Sequence, residues 1–272
     1  MNTTTLSDFL SKKETLEIIN ANFHNPVRKS GATLVVEPTK GQSIDFGAIG
    51  TAFDYWLRCE VKQSDPNLLN TFLGYRFCRE HYAHKQAVLK ALNSHVTAFT
   101  QFFSGTLASR EKLLAACLFL AKFETEIRSG HAVESLEVRR ENVDELGRIA
   151  DATDLSRFKK KDTVLNPTFG ATGSKLIINA DADIIVEGIL VELKSGSTLA
   201  IKDNFRQLIG YWILNNFKDA PLKINRLAVY YPRFKYFIDF SIADLMSPME
   251  EEKIKGFFKL SLGKNIRTSK HS

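Results

Sequence analysis

The sequence predicts an α/β protein: a mixed sheet flanked by helices, with a mainly helical N-terminal half. Three observations point that way. An isoleucine- and valine-rich stretch with a glycine-containing break, ADADIIVEGILVELKSG, lies in the second half of the chain. A helix-spaced segment, DNFRQLIGYWILNNF, follows it, and then come two more strand-like runs, RLAVYYPR and KYFIDFSI. The first half instead repeats apolar residues mostly at helical spacing.

At 272 residues, 44% hydrophobic and 25% charged, the chain can bury a substantial core as one large domain or two small ones. The expected division is a helical region over 1–150, contributing a core helix at about 110–128, and a sheet-bearing core with a polar tail over 151–272. The two are read as one compact molecule, because the sheet lacks its supporting helix without the first half. A net charge of +6 favours a polyanionic partner. No apolar run approaches the roughly 20 residues a membrane span needs. The start, MNTTTLSDFLSKKETL, has no signal-peptide pattern. The expectation is a cytoplasmic protein with no membrane partner. Cys59, Cys78 and Cys117 are scattered in apolar helical stretches without CxxC spacing, and read as buried thiols.

Taken in order, LSDFLSKKETLEIINANF and DFGAIGTAFDYWLRCEV are expected helices, with the β-branched run ATLVVEP between them. Further helical patterns run from about Leu68 to Leu92, Arg110 to Ile127 and Val133 to Ile149. The tract DLSRFKKKDTVLNPTFGATGS is polar, basic and glycine-containing, and marks a boundary or long loop near residue 155. Beyond it come the hairpin, a helix from Asn204 to Phe217 and the two further strands. The tail SLGKNIRTSKHS is polar and expected to fray.

The hairpin raises the chemical question. With Glu187-Gly188 as a tight turn, Val186 faces Ile189, Ile185 faces Leu190, Ile184 faces Val191 and Asp183 faces Glu192. Further out, Asp181 faces Lys194. Alternation then projects Asp181, Asp183, Glu192 and Lys194 from one face, with Ala182, Ile184, Val186, Ile189, Val191 and Leu193 on the other. Two readings of the cluster stand. It is a solvated face with a cross-strand Asp181–Lys194 ion pair, or it is a site for a hard divalent ion that relieves the repulsion between Asp183 and Glu192.

The order Asp183, hairpin, Glu192-Leu193-Lys194 resembles the signature of the PD-(D/E)xK nuclease superfamily. Gln207 and Tyr211, in the helix that follows, are similar to the QxxxY motif of its RecB-like branch. LNPTFG before the hairpin and RLAVYYPR after it also look like segments of bacterial members. The resemblance covers roughly residues 165–245. It implies a restriction-endonuclease-like core, Mg2+ or Mn2+ as cofactor, and nucleic acid, chiefly DNA, as substrate. Some RecB-like nucleases carry a four-cysteine iron–sulfur cluster, which a chain with three cysteines cannot build.

On that resemblance Asp183 and Glu192 are expected to hold the metal, with the Leu193 carbonyl as a third oxygen. Lys194 is expected to orient water or stabilise the transition state. Asp181 is a supporting candidate, as a partner of Lys194 or a further ligand. Gln207 and Tyr211 are expected beside the site, although Tyr211 also fits a core position. Many relatives add a glutamate from a preceding helix. Glu124 lies in the stripe of Leu113, Cys117, Leu120 and Ile127, where an unpaired carboxylate is costly, so it is either a ligand or an i,i+4 partner of Arg128. Arg157, Lys159, Lys160 and Lys161 form a candidate nucleic-acid surface. Arg76, Arg79, Lys85 and Lys90, with His81 and His84, form a second, and those two histidines have no third zinc ligand near them in the sequence.

The expected function is a magnesium-dependent nuclease, serving as the nuclease component of a restriction, anti-phage defence or repair system. A protein partner or homo-oligomer is compatible with this. Two alternatives remain: a nuclease fold that only binds nucleic acid or protein, and a metal-dependent RNase.

Overall fold

A computed structural model describes residues 2–24, 32–41, 44–63 and 65–263. In chain order its elements are β1 (Asn2–Thr5), α1 (Leu6–Ser11), α2 (Lys13–Ala21), α3 (Phe46–Val61), α4 (Leu73–His81), α5 (Gln86–Phe103), α6 (Arg110–Ser129) and α7 (Arg140–Asp151). Then follow β2 (Val164–Leu165), β3 (Ala171–Thr172), β4 (Leu176–Asn179), β5 (Ile184–Val186), β6 (Ile189–Leu193) and α8 (Ile201–Asn215). The chain continues with β7 (Arg226–Tyr231), β8 (Tyr236–Ser241), α9 (Ile242–Leu245) and α10 (Pro248–Leu262). The molecule is mixed α/β with two mixed sheets. Among the described residues no helix is long and apolar enough to cross a membrane.

The larger sheet has the order β2-β5-β6-β7-β8, antiparallel throughout except for the parallel pair β6–β7. A parallel pair needs a crossover, and α8 supplies it. β6 is almost entirely buried, which is why its sequence, Ile189–Leu193, reads as an apolar run interrupted only by Glu192. Its alternate residues enter two cores. Val191 and Leu193 pack with Ile184, Val186 and the helices α3 to α7. Leu190 packs with Ile185 and with α1, α2, α8 and α10. The smaller sheet, β1-β4-β3, joins this second core, with β1 running parallel to β4.

The hairpin forms in the expected register, Ile184 opposite Val191, Ile185 opposite Leu190 and Val186 opposite Ile189. Glu187 and Gly188 both take positive φ, 49° and 79°, the geometry of the two-residue turn that follows the twist of the strands. Outward of Ile184 the expectation fails. Ala182 donates its N–H to Pro167 O at 3.0 Å, and Asp181 bridges to Thr168, so the chain turns away from β6. Ala182 accordingly sits in the Ile185 core rather than beside Ile184.

Other expectations shift for local reasons. The first helical stretch is two helices broken at Lys12, whose ψ of 135° is extended. The β-branched run ATLVVEP, which the sequence assigns to no element, joins no sheet: the N–H groups of Val35 and Val36 both go to the Arg233 carbonyl, which leaves them no ladder. The 68–92 stretch is a short 3₁₀ turn, then α4, then the start of α5. Of 133–149 only the part from Arg140 is helical. Part of the tail belongs to α10, which starts with Ser247 in a capping box with Glu250 and Pro248 at its first turn. The remainder of the expected frayed tail lies outside the described residues.

Candidate active site

β6 ends at Leu193, and there the hairpin's acidic residues meet. Asp183 precedes β5, and its Oδ2 accepts the Leu193 N–H at 2.7 Å, so a side chain takes up the amide just past the last ladder pair. Leu193 thus touches the site through its amide. Glu192 points to the side away from Leu193 and is 4% exposed. Its Oε1 accepts from Lys194 Nζ at 2.7 Å, while its Oε2 is buried with no hydrogen-bond partner.

α8 closes one wall. Lys194 Nζ donates to Gln207 Oε1 at 3.4 Å, and Gln207 Nε2 donates to the Tyr211 hydroxyl at 2.7 Å. Glu192, Lys194, Gln207 and Tyr211 therefore form one continuous line of polar contacts. Tyr211 is also 5% exposed and tilted against Phe169, so the core role foreseen for it coexists with its contact to Gln207. Asp181 is exposed and does not pair with Lys194, because the chain has already turned at Ala182. Its charge still reaches the Tyr211 hydroxyl.

A third wall comes from α3. Asp54 and Arg58 are one turn apart there, and Arg58 Nε donates to Asp54 Oδ1 at 2.9 Å while Nη2 pairs with Oδ2. Arg58 also donates to Asn166 Oδ1 at 3.1 Å, and the Asn166 N–H goes to the Asp183 carbonyl at 2.9 Å. Sequence reasoning passed over both residues. A signal was present: two opposite charges four apart inside the apolar stretch AFDYWLRC, where the intervening Tyr55, Trp56 and Leu57 are all buried.

The acids share one field. Burial pushes the Glu192 carboxyl up to about 8, with the Asp183 charge adding to it and Lys194 opposing it. Burial likewise raises Asp54 to about 7, against the pull of Arg58 and with help from Asp183 and Glu124. Asp183 is raised by burial, although Lys194, the Leu193 amide and Arg58 hold it back. Burial works against the charge on Lys194, yet Glu192 and Asp183 keep its pKa above the usual lysine value. Shifts of this kind, from burial and a neighbouring like charge, are what two carboxylates brought together produce.

Glu124 is 5% exposed and has partners on both oxygens: the Tyr55 hydroxyl donates to one and Arg128 pairs with the other. The i,i+4 pair is thus present. Through Tyr55, whose oxygen also accepts the Gly74 N–H at 3.0 Å, Glu124 joins the start of α4 to α3.

Among the described residues no group of three or more His, Cys, Asp or Glu side chains is arranged to hold a metal ion. Asp54, Asp183 and Glu192 each spend oxygens on Arg58, the Leu193 amide or Lys194. The donor set nevertheless suits a hard divalent cation: the acidic side chains offer carboxylate oxygens, and one buried oxygen, Glu192 Oε2, has no hydrogen-bond partner.

The expected basic surface is exposed but partly engaged. Arg157 pairs with Asp154 at 3.2 Å and lies over the Phe237 ring, and Lys159 reaches Glu60 at 3.3 Å. Lys160 and Lys161 are exposed. In the second group Arg79 lies over Tyr75, Lys85 over Tyr82, and His81 stacks on Phe77. Two clefts, of about 700 and 330 Å³, lie elsewhere, one at Glu60, Phe102 and Arg110 and the other at Asp154, Arg157 and Lys235. No protein-family model matches this chain, and no curated protein or solved structure matches it either.

Proposed function

We propose that the protein is a divalent-metal-dependent nuclease of the PD-(D/E)xK type, acting on DNA and built on a restriction-endonuclease-like core. One observation carries the reading: the unbroken contact line from Glu192 through Lys194 to Gln207 and Tyr211, with Asp183 at the same strand end. A solvated charge ladder needs no buried Glu192 and no glutamine–tyrosine wall behind the lysine.

In this reading Asp183 and Glu192 would hold Mg2+ or Mn2+, with the Leu193 carbonyl as a further candidate oxygen, and Asp54 would join them only where Arg58 releases it. Such an ion, when bound, makes water more acidic and neutralises charge on the phosphate. The remaining work belongs to the chain. Lys194 stays protonated because two acids face it, so it donates hydrogen bonds to the attacking water or to a phosphate oxygen as charge develops there. Gln207 limits where the ammonium can swing, and Tyr211 fixes Gln207. Water adds to phosphorus and the sugar oxygen leaves, so one phosphodiester bond is exchanged for a phosphate monoester and a hydroxyl. The net charge of +6 supports a polyanionic substrate. A role as the nuclease component of a restriction, anti-phage defence or repair system fits this chemistry.

The test is cleavage of plasmid, linear duplex, single-stranded DNA and RNA with magnesium or manganese, using wild type, Glu192→Ala and Lys194→Ala. Metal-dependent DNA cutting by wild type is expected, and each substitution should lower the rate by about 10²-fold or more. RNA-only cleavage identifies an RNase. Wild type and variants equally inert on every substrate, while still binding DNA, would show a binding module instead.

A further inference from the structure

Arg58 is a cation that α3 carries into the acidic cluster. Its side chain is 7% exposed. A guanidinium keeps its charge at every working pH, and burying one costs free energy unless carboxylates surround it. Asp54 supplies both oxygens, Asn166 accepts one further hydrogen bond, and the Arg58 charge extends to Asp183. Arg58 thus spans from the acid on α3 to the loop that holds the Asp183 backbone. Lys194 stands in the same relation to one oxygen of Glu192. The other oxygen, Glu192 Oε2, is buried, unpartnered and within the field of Asp183 and Asp54.

These contacts set up a competition. Any divalent cation reaching Asp54 must take oxygens that Arg58 now holds, and a dication and a guanidinium in one water-poor pocket repel each other strongly. We propose that Arg58 is an internal counter-cation that competes with the metal for Asp54 and so limits how tightly the free protein holds a divalent ion. The inference rests on the metal-dependent reading above. It gives the arginine a purpose beyond neutralising its helix neighbour. The negative charge of a bound phosphodiester offsets the repulsion, so metal and nucleic acid bind with positive coupling.

The experiment is Mn2+ titration of the full chain by calorimetry, on wild type, Arg58→Gln and Asp54→Asn, with circular dichroism establishing that each variant is folded. Arg58→Gln, which keeps hydrogen-bonding capacity without the charge, should bind Mn2+ about tenfold tighter or more, and Asp54→Asn about tenfold weaker. Equal or weaker binding by folded Arg58→Gln overturns the proposal and makes Arg58 a residue that merely orders Asp54. A wild type that binds no divalent ion sinks the metal-dependent reading itself, which is a separate result. Should Arg58→Gln fail to fold, Mg2+ titration of ¹⁵N-labelled wild type reads the same competition. The Arg58 Nε–H resonance should move as Asp54 is drawn away, and a resonance unmoved at saturating Mg2+ overturns the proposal.

Discussion

Gln207 donates its side-chain amide to the Tyr211 hydroxyl one turn further along α8, at 2.7 Å, while its carbonyl faces Lys194. An amide held at both ends has one orientation, and that orientation presents an acceptor to the ammonium. Tyr211→Phe removes one end and leaves the ring in the core. A neutral hydrogen bond contributes about 0.5–1.5 kcal/mol, so the expected loss in kcat is roughly two- to tenfold, with KM nearly unchanged. Steady-state cleavage kinetics check this, beside a melting temperature that should barely move. A KM effect alone would instead place Tyr211 on the substrate.

The acid cluster makes stability depend on pH. In the unfolded chain Glu192 titrates near 4.5, whereas in the folded chain its pKa is about 8. Between those values the folded state binds the extra proton, so stability falls as pH rises and the contribution is lost through about pH 8. Asp54, raised to about 7, acts in the same direction. The metal-free protein should therefore melt lower at pH 8.5 than at pH 6. Glu192→Gln should flatten that slope, as thermal melts in chelator would reveal, and an unchanged slope would remove Glu192 from the account.

A second buried ion pair lies behind the site. Arg233, 1% exposed, contacts Glu145 Oε1 at 2.5 Å through an off-axis charge contact, and its Nε donates to the carbonyl of Ser195, the residue after Lys194, at 2.6 Å. Arg148 and Thr39 still hold the other oxygen of Glu145, so removing Arg233 strands Oε1 alone. Arg233→Ala should cost about 1–3 kcal/mol in urea unfolding. A cost near zero would mean that water reaches Glu145.

Gly74 is a packing requirement. A Cβ there would stand 2.1 Å from the Leu120 carbonyl, so α4 can lie this close to α6 only with glycine. Gly74→Ala should destabilise by about 1–3 kcal/mol or more and pull the Gly74 N–H off the Tyr55 hydroxyl. Chemical denaturation measures the first effect. Amide exchange at Gly74, faster in a variant otherwise folded, measures the second.

What could be read from the sequence followed the range of the interactions. The hairpin register was legible because Glu187-Gly188 and strict alternation specify it locally, and Gln207 and Tyr211 share a face by helix geometry alone. Asp181 escapes strict alternation because Pro167 and Thr168 capture the chain before it. Asp54 is not legible because its place in the field of Asp183 depends on α3 reaching Asn166 through Arg58, a contact across more than a hundred residues. Val35 and Val36 favour a strand by propensity, but the acceptor they find is the carbonyl of Arg233, far along the chain. α10 was readable in principle, since Ser247, Pro248 and Glu250 are start signals.

The five-stranded sheet also governs how the gene can be divided. Each of its faces is covered by helices drawn from a different stretch of the chain, with α3 to α7 on one side and α8, α10 and the first two helices on the other. A cut near residue 150 strips α3 to α7 from one face of the C-terminal fragment and the first two helices from the other, and leaves the N-terminal fragment with its apolar surfaces open to water. The two pieces made separately should aggregate, and made together in one cell they should reassemble into a single particle.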